Sequence, residues 1–374
     1  MWYVYTVVFD IPTILSMLDA DFTTIRKRYV IEGKLICEGP VAVGAPGEVF
    51  QLVDRPVIRI RTVNGQTVPY IPGSSVKGVL RNFAETLLRT FIESTKINII
   101  EFSKSAYEKL IDKVKRELTD RKLMCSDRKS TEEARTMIYV IEKDTFERTE
   151  KRVLERAEEY LRKCLWNIFC CNALASNVEQ DLREVGSISI SNVQVPLLYM
   201  PCVACQLFGG GGLASHVVIY DAFPESPEEV FIGHRTCVSI DRVFRRQKPG
   251  RLFTIEYVEP GSRFNFRMEI INIDLESATK FLHEYAQSDI DLDKIIKEPD
   301  TIINFIKGLK AYIISLILKQ LQDDGIQVGG RRSVGLGRVR LSLDRATVYY
   351  VEKLKLVKKD ASAEIKAALS AITG

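Results

Sequence analysis

One segment near the end of the chain combines glycine with arginine. Residues Gly329 to Arg338 read Gly-Gly-Arg-Arg-Ser-Val-Gly-Leu-Gly-Arg, with four glycines and three arginines. Glycine lets a backbone approach a ligand closely, and the guanidinium group makes paired hydrogen bonds to phosphate oxygens. The Gly-Lys-Ser/Thr ending of a nucleotide-binding P-loop is absent. The pattern predicts a grip on a nucleic-acid backbone, and a tight structural loop is the alternative. The candidate contacts are Gly329, Gly330, Arg331, Arg332 and Arg338.

A second segment, Pro72 to Arg81, reads Pro-Gly-Ser-Ser-Val-Lys-Gly-Val-Leu-Arg at the start of a predicted helix, and we predict that Ser74 or Ser75 caps its N-terminus. Lys77 and Arg81 are four residues apart, so a helix places both on one face. Cations in the first turns of a helix oppose its dipole, unless an anion binds there. A nucleic-acid phosphate is the obvious anion. The predicted contacts are Ser74, Ser75, Lys77 and Arg81. An ordinary serine-capped helix with surface cations is the alternative.

A third basic segment, Arg242 to Arg251, carries five cations with an aromatic residue among them. It lies between two strand-like stretches, so we predict the tip of a protruding hairpin. Such a tip suits contact with phosphates and insertion between bases. The predicted RNA contacts are Arg242, Phe244, Arg245 and Arg246. A merely solvated hairpin is the alternative.

Cysteine spacing raises a weaker hypothesis. Cys202 and Cys205 have the Cys-x-x-Cys spacing of metal ligands. Cys164, Cys170 and Cys171 are candidates to complete a tetrahedral zinc site. A single Cys-x-x-Cys pair is a weak signal, and the alternative is that these thiols only pack.

Bulk composition limits the class of protein. The chain has 374 residues, 46% hydrophobic and 27% charged, which is enough for one large domain or two ordinary ones. The net charge is only +4, so any basic surface must be local. No uninterrupted apolar stretch approaches the roughly 18 residues of a membrane span. The apolar first twenty residues lack the positively charged start of a signal peptide. We therefore predict that the eight cysteines are free thiols or metal ligands rather than disulfides, and we predict a cytoplasmic location and no membrane partner.

The pattern of apolar residues predicts an α+β fold of the ferredoxin-like, RNA-recognition-like type. Tyr29 to Cys37 alternates as a strand does, and Thr301 to Gln322 has the period of a long helix. Further strands are predicted at Val57–Val63, Ser187–Val195, Val217–Tyr220, Val238–Ile240, Leu252–Val258, Phe264–Ile273 and Val339–Leu343. These elements form an antiparallel sheet with helices on one face.

Domain boundaries follow from changes in composition. About half of the residues between Glu101 and Lys163 are charged, with both signs interleaved, which predicts an inserted helical lid. The predicted core comprises residues 23–95 and 184–345, with a thumb hairpin around 236–266. The lid spans 96–183, and a basic tail with an alanine-rich helix spans 346–374.

Four motifs in order resemble the RAMP superfamily of CRISPR-associated proteins. They are Pro69-Tyr-Ile-Pro-Gly-Ser-Ser-Val-Lys-Gly78, Cys202-Val-Ala-Cys-Gln-Leu-Phe-Gly209, the pair Val238-Ser-Ile-Asp-Arg242 and Gly250-Arg-Leu-Phe-Thr-Ile-Glu-Tyr-Val-Glu-Pro-Gly261, and Gly335-Leu-Gly-Arg-Val339. The resemblance covers Val30 to Leu343 apart from the charged insertion. The third motif is similar to the thumb of the Csm-type backbone subunit in type III effectors. This implies a subunit that binds guide RNA and complementary target RNA, beside other RAMP subunits and copies of itself.

The same resemblance implies a catalytic residue. In the Csm-type subunit an aspartate before a Pro-Val-Ile-Arg segment promotes cleavage of bound target RNA, and Asp54 is the matching position here. The resemblance also implies a divalent ion, Mg²⁺, because a carboxylate with a metal suits activation of a ribose 2′-OH. Glycines often precede the aspartate in the family, whereas this chain has Phe50-Gln-Leu-Val53. The alternative is that Asp54 only caps a turn or pairs with an arginine.

Two other functions stay open at this stage. One is a non-catalytic RAMP subunit that caps or scaffolds the complex. The other is a guide-processing endoribonuclease, which is less favoured because the three histidines are scattered. They are His216, His234 and His283.

Overall fold

A computed structural model describes most of the chain outside the charged insertion. The described residues are 24–44, 54–95, 105–106, 109, 113, 187–190, 193–196, 202–210, 214–240, 247–285 and 292–372. Three sets of predictions therefore lie outside them: the charged lid apart from residues 105–106, 109 and 113, the hairpin-tip residues Arg242, Phe244, Arg245 and Arg246, and the cysteines Cys164, Cys170 and Cys171.

The chain forms two compact units, each assembled from separate stretches. The first comprises Met1–Thr24, Glu85–His216 and Asn272–Tyr312, and the second comprises Ile25–Ala84, Val217–Ile271 and Ile313–Gly374. The predicted domain boundaries given above stay a prediction. The second unit contains the described candidate site residues except Cys202 and Cys205.

An antiparallel sheet organises the second unit. The described strands are β1 Lys27–Cys37, β2 Arg59–Arg61, β3 Thr67–Pro69, β4 Ser187–Ile190, β5 Val193–Pro196, β6 Val217–Ile219, β7 Ile232–Ile240, β8 Gln247–Val258, β9 Arg263–Ile271, β10 Ile326–Gln327, β11 Arg338–Glu352 and β12 Lys355–Asp360. The strands of this sheet run in the order β10-β11-β1-β9-β6, and β12 pairs with β11 from Thr347 to Glu352. The predicted α+β class with an antiparallel sheet is confirmed.

The helices complete the mixed architecture. They are α1 Gly73–Thr95, α2 Val203–Phe208, α3 Glu276–Tyr285, α4 Leu292–Lys297, α5 Pro299–Asp323 and α6 Ser362–Ala371. Helix α5 is long and apolar enough to cross a membrane, but 72% of its most apolar stretch is buried inside the protein. It is therefore a core helix, and the predicted helix at Thr301–Gln322 is confirmed.

Strand β1 shows why this sequence forms the centre of the sheet. Tyr29, Ile31 and Leu35 are fully buried on one face, as the period of two requires. The opposite face carries charged side chains, and these form ion pairs with one another across the sheet. Glu269 on β9 accepts hydrogen bonds from Arg28 and Arg267 at 2.6–2.8 Å. Burial opposes ionisation of Glu269, but these arginines outweigh it and lower its pKa.

A bulge explains why the last predicted strand was too short. The pairing of β1 with β11 shifts register between Glu32 and Gly33, so Asp344 is an extra residue on β11. The polar run after Leu343 interrupts the apolar alternation, so the predicted strand ended at Leu343. The strand instead continues to Glu352 and turns into β12. The alanine-rich helix predicted in the tail is confirmed as α6.

Other strand predictions need smaller corrections. The predicted strand Ser187–Val195 is two antiparallel strands, β4 and β5. The segment Val57–Val63 contains only the short strand β2. The predicted hairpin is confirmed, because β7 and β8 pair antiparallel from Ile232↔Val258 to Ile240↔Gln247.

The first unit has its own aromatic core. The ring of Phe281 in α3 lies 5.5 Å from the ring of Phe305 in α5 and 6.4 Å from that of Phe91. Gly308 faces the same ring, and a Cβ there would lie 2.9 Å from Phe281. This cluster joins α1, α3 and α5 within the unit.

Candidate functional site

The glycine-arginine loop is built directly onto the chain that follows β1. Gly330 N–H donates to Ala42 O at 2.9 Å, and Gly337 N–H donates to Pro40 O at 2.8 Å. Gly329 and Gly337 both have positive φ, and a Cβ on either would lie within 2.3 Å of a backbone oxygen. Only glycine fits at these two positions. The predicted close backbone approach is therefore to the protein's own chain, and it fixes the shape of the loop.

Arg331 is half-buried in this loop and is held in an unusual conformation. It is one of the few described non-glycine residues with positive φ, at 58°. Its guanidinium carbon lies 4.3 Å from the centre of the Phe253 ring, as in a cation–π contact. Its Nε is buried and has no hydrogen-bond partner among the described residues. Strain of this kind concentrates at binding sites, where the surrounding structure imposes it.

Asp54 is anchored on the thumb hairpin. Its Oδ2 accepts a hydrogen bond from Thr254 N–H at 2.7 Å, and the residue is exposed. The adjoining backbone pairs with the same strand, since Arg55 N–H donates to Thr254 O and Glu256 N–H donates to Arg55 O. The segment around Asp54 thus lies along the outer edge of β8. One carboxylate oxygen is fixed by the protein, which orients the exposed group.

Glu256 fastens this segment a second time. Its carboxylate accepts from Val57 N–H at 3.0 Å and pairs with Arg59 at 2.8 Å, and His234 lies 3.6 Å away. Burial favours the neutral acid, but the hydrogen bonds from Arg59 and Val57 outweigh it and lower the pKa of Glu256. Glu256 therefore stays ionised at neutral pH and holds the Asp54 segment in place.

The candidate catalytic residue and the glycine loop converge on neighbouring residues of β8. Asp54 is bonded to the backbone of Thr254, and Arg331 stacks on the side chain of Phe253. A carboxylate and a guanidinium are thus presented at one stretch of the thumb. This combination suits a phosphodiester, whose phosphate takes the cation and whose ribose hydroxyl takes the carboxylate.

The start of α1 is arranged differently from the prediction. The proposed cap by Ser74 or Ser75 is wrong, because the helix begins at Gly73. Gly73 N–H donates to Asp221 Oδ1 at 2.7 Å, so a carboxylate distant in sequence supplies the anion at this helix end. Nearby, Lys77 is half-buried, and burial together with Arg81 lowers its pKa.

The two basic segments lie at opposite edges of the sheet. A Cβ on Gly73 would lie 2.3 Å from Ile219 O, so α1 begins against edge strand β6. The glycine loop connects β10 to β11 at the other edge. Four interstrand spacings of about 4.8 Å separate β10 from β6, or about 19 Å. The prediction that Ser74, Ser75, Lys77 and Arg81 contact RNA stays a prediction.

Arg338 already has an acidic partner. Its Nε donates to Glu38 Oε2 at 2.9 Å, and Arg340 donates to the other oxygen of the same carboxylate. Arg338, and with a smaller contribution Arg340, lowers the pKa of Glu38. Arg332, by contrast, is exposed in the short helical turn Arg332–Val334. Of the arginines in the loop, Arg331 and Arg332 are thus the better placed for a phosphate.

The cysteine pair has a structural role in the described part of the chain. Both thiols are buried, and Cys202 Sγ accepts from Cys205 N–H at 3.4 Å to cap α2. Among the described residues no three histidine, cysteine or acidic side chains form a metal cluster. The zinc prediction with Cys164, Cys170 or Cys171 stays a prediction.

An antiparallel sheet with helices, and a glycine-arginine loop beside a β-hairpin, is an arrangement of the ferredoxin-like class. The chain matches the RAMP superfamily over residues 34–340, which is most of its length. It therefore belongs to the RAMP superfamily of CRISPR-associated proteins, whose members bind CRISPR RNA. No curated protein matches the chain.

Sequence reasoning missed the residues that hold the site together. Thr254 and Glu256 orient the Asp54 segment, and Asp221 caps α1, yet each lies more than a hundred residues from its partner. Phe253, Thr254 and Glu256 all lie in the quoted thumb motif, but the motif does not show that they contact Arg331 or the Asp54 segment. Asp221 lies in none of the quoted motifs.

Proposed function

We propose that this RAMP protein is a Csm-type backbone subunit of a type III CRISPR effector complex, acting in the cytoplasm in antiviral defence. It binds the guide RNA backbone through the loop Gly329–Arg338 and cleaves bound target RNA through Asp54. Its partners are guide RNA, complementary target RNA, other RAMP subunits and further copies of itself.

The observation that carries the proposal is the convergence on β8. If the loop served local packing alone, nothing would require Arg331 to stack on the thumb strand, next to the residue that anchors Asp54. The αL conformation of Arg331 also opposes a purely structural explanation, because it costs of order 1 kcal/mol without any bound ligand.

The chemistry follows from the two groups. The carboxylate of Asp54 accepts the proton of a ribose 2′-OH, and the 2′-oxygen attacks the adjacent phosphorus. The bond from phosphorus to the 5′-oxygen breaks, and that oxygen takes a proton from water. The products are a 2′,3′-cyclic phosphate and a 5′-hydroxyl end. Arg331 neutralises charge on the phosphate during this step.

A divalent ion fits the site only in a particular way. Asp54 presents one carboxylate, and among the described residues no group of three or more histidine, cysteine or acidic side chains forms a metal cluster. Mg²⁺ is commonly held by one or two carboxylates together with substrate phosphates and water. Asp54 would hold such an ion together with the RNA, and the ion would supply charge stabilisation at the phosphate.

The test is a matched pair of aspartate variants in the assembled complex. Asp54→Asn keeps the hydrogen bond to Thr254 but removes the base, so single-turnover cleavage of target RNA falls by about 100-fold or more. Asp344→Asn, at an exposed aspartate in the bulge of β11, makes the same charge change and leaves cleavage unchanged. Guide RNA affinity stays within about twofold in both variants.

Each alternative predicts another result. If Asp54→Asn binds guide RNA and the complex still cleaves target RNA as the wild type does, the chain is a non-catalytic capping or scaffolding subunit. Cleavage of repeat RNA by the isolated protein, without target and without metal, would identify a guide-processing endoribonuclease.

A further inference from the structure

The turn between β11 and β12 exposes apolar side chains at the end of a protruding hairpin. Val351 and Leu356 face each other across the two strands and are 59% and 72% exposed. Leu354 in the turn is 99% exposed. Strand β1 pairs with β11 only as far as Tyr350, so these residues extend past the end of their inner neighbour. Clustered exposed apolar side chains usually mark a protein–protein contact.

The turn also breaks a local sequence rule. Lys353 and Leu354 both have positive φ, at 49° and 63°. Two-residue hairpin turns of this kind strongly favour asparagine and glycine. Leucine at such a position loses conformational stability, and its 99% exposure leaves it no compensating contact with the described residues. A binding role explains why a large apolar residue occupies it.

Charge surrounds the apolar tip. The stretch from Val351 to Lys359 contains four lysines and a single glutamate. Lys353 and Lys355 are exposed beside the tip, whereas Lys358 and Lys359 lie over the rings of Tyr349 and Tyr350. The hairpin thus presents apolar side chains with a positive rim.

A surface of opposite charge lies beyond β6. The stretch from Asp221 to Phe231 contains four carboxylates and no cation. Glu228 and Glu229 are exposed in a short helical turn. Phe223 is exposed on one side of this turn and Phe231, at 67%, on the other. This acidic-aromatic segment therefore offers apolar rings with a negative rim.

The two surfaces belong to the same unit but not to the same edge of the sheet. The hairpin extends from β11 and β12 at one edge, and the acidic-aromatic segment follows β6 at the other. Four strand spacings, about 19 Å, lie between them. One chain therefore cannot join its own two surfaces, but a second copy can offer the complementary one. A contact of this kind repeats head to tail.

We infer that the β11–β12 hairpin of one copy docks on the acidic-aromatic segment of the next copy. The lysines meet the carboxylates, and Leu354 and Leu356 pack against Phe223 and Phe231. The inference rests on the proposed function in one respect only, because it names how copies of this subunit adjoin. It requires neither RNA nor cleavage.

The first experiment measures self-association of purified protein without RNA, by sedimentation over a range of concentrations. Leu354→Asn suits the αL backbone better than leucine, so the variant stays folded while the apolar tip is lost. We expect about tenfold weaker association than wild type. Unchanged association in this variant overturns the inference, as does wild-type protein that stays monomeric at its highest soluble concentration.

The second experiment exchanges charge. Lys353→Glu with Lys355→Glu makes the hairpin acidic, and Glu228→Lys with Glu229→Lys makes the segment basic. Each double variant alone repels its own copies and associates about tenfold or more weakly. Mixed together they offer opposite charges again, and association returns to near the wild-type level. A mixture as weak as its components overturns the inference.

Guide RNA affinity of the two double variants separates the possible failures. A double variant that associates weakly but binds guide RNA normally has lost only the docking between copies. Self-association of the wild-type protein without any guide RNA binding contradicts the proposed function and leaves the docking inference in place. A loss of RNA binding in the hairpin variant that the mixture does not rescue identifies the lysines as an RNA contact and overturns docking.

Discussion

Two segments look alike in sequence but differ in structure: the loop Gly329–Arg338 and the start of α1. Both combine glycine with cations, and both suggest a phosphate grip. In the loop, the glycines fold the chain against Pro40 and Ala42, and Arg331 extends onto the thumb. At the helix start, Asp221 already occupies the Gly73 N–H.

The difference shows that a candidate anion site is open to an RNA phosphate only where no acidic side chain of the protein already binds it. A helix N-terminus attracts an anion from any part of the chain, and here the carboxylate of Asp221 already accepts a hydrogen bond from it. Arg331 forms no ion pair with any acid among the residues that the structure describes, and its buried Nε has no hydrogen-bond partner among them. RNA binding is therefore expected to depend on the loop more than on the helix.

The largest expected effect comes from glycines of the two segments. Gly337→Ala places a Cβ 2.1 Å from Val328 O at a φ of 94°, so we expect the free energy of unfolding to fall by about 3 kcal/mol. Gly78→Ala in α1 meets nothing within 4 Å and should raise it by about 0.5–1 kcal/mol. Chemical denaturation measures both.

Gly335 provides the control for backbone strain alone. It has a φ of 84° but no atom within 4 Å of a Cβ, so Gly335→Ala should cost only about 1 kcal/mol. A cost equal to that of Gly337→Ala would mean that contact with the chain at Val328 does not shape the loop.

A pH-dependent effect is expected where the Asp54 segment joins β8. Hydrogen bonds from Arg59 and Val57 keep the pKa of Glu256 low against the opposing effect of burial. Glu256→Gln should therefore lower the free energy of unfolding by about 1.5 kcal/mol at pH 7. The stabilisation exists above the unfolded pKa of about 4.3 and disappears as pH falls through the lower folded pKa. Denaturation at pH 7 and pH 3 should show the two proteins converging at the acid end; a constant difference would contradict the assignment.

RNA affinity compares the cations of the two segments. Arg331→Ala removes a charged contact beside the thumb, so we expect about tenfold weaker guide RNA binding at fixed salt. Lys77→Ala, at the helix start, should weaken it by less than about twofold. Fluorescence anisotropy with labelled guide RNA measures both. Equal losses would restore the two segments as equivalent grips.

The smallest effect tests the cap of α1. Asp221→Asn removes the negative charge from the Gly73 N–H and should destabilise the protein by about 1 kcal/mol. Thermal unfolding of this variant beside Glu228→Gln, a nearby exposed acid in the turn Pro227–Glu229, isolates the cap. An RNA affinity that rises severalfold in Asp221→Asn alone would show that a phosphate competes for the helix end.

The sequence predicted those features that depend on local pattern. Alternation between Tyr29 and Cys37 located the central strand, and glycine with arginine located the loop. Pairings across long separations had no local signal, which is why Asp221 and Thr254 were missed. The bulge at Asp344 hid the second half of β11, because an extra residue resets the alternation of faces.

The most direct test of the account is where guide RNA touches the protein in the assembled complex. A photo-crosslinking amino acid is placed at Arg332 or at Ser74, which are both exposed and belong to the two segments. The account predicts strong crosslinking to guide RNA from position 332 and little from position 74. Crosslinking from position 74 with none from position 332 would contradict it.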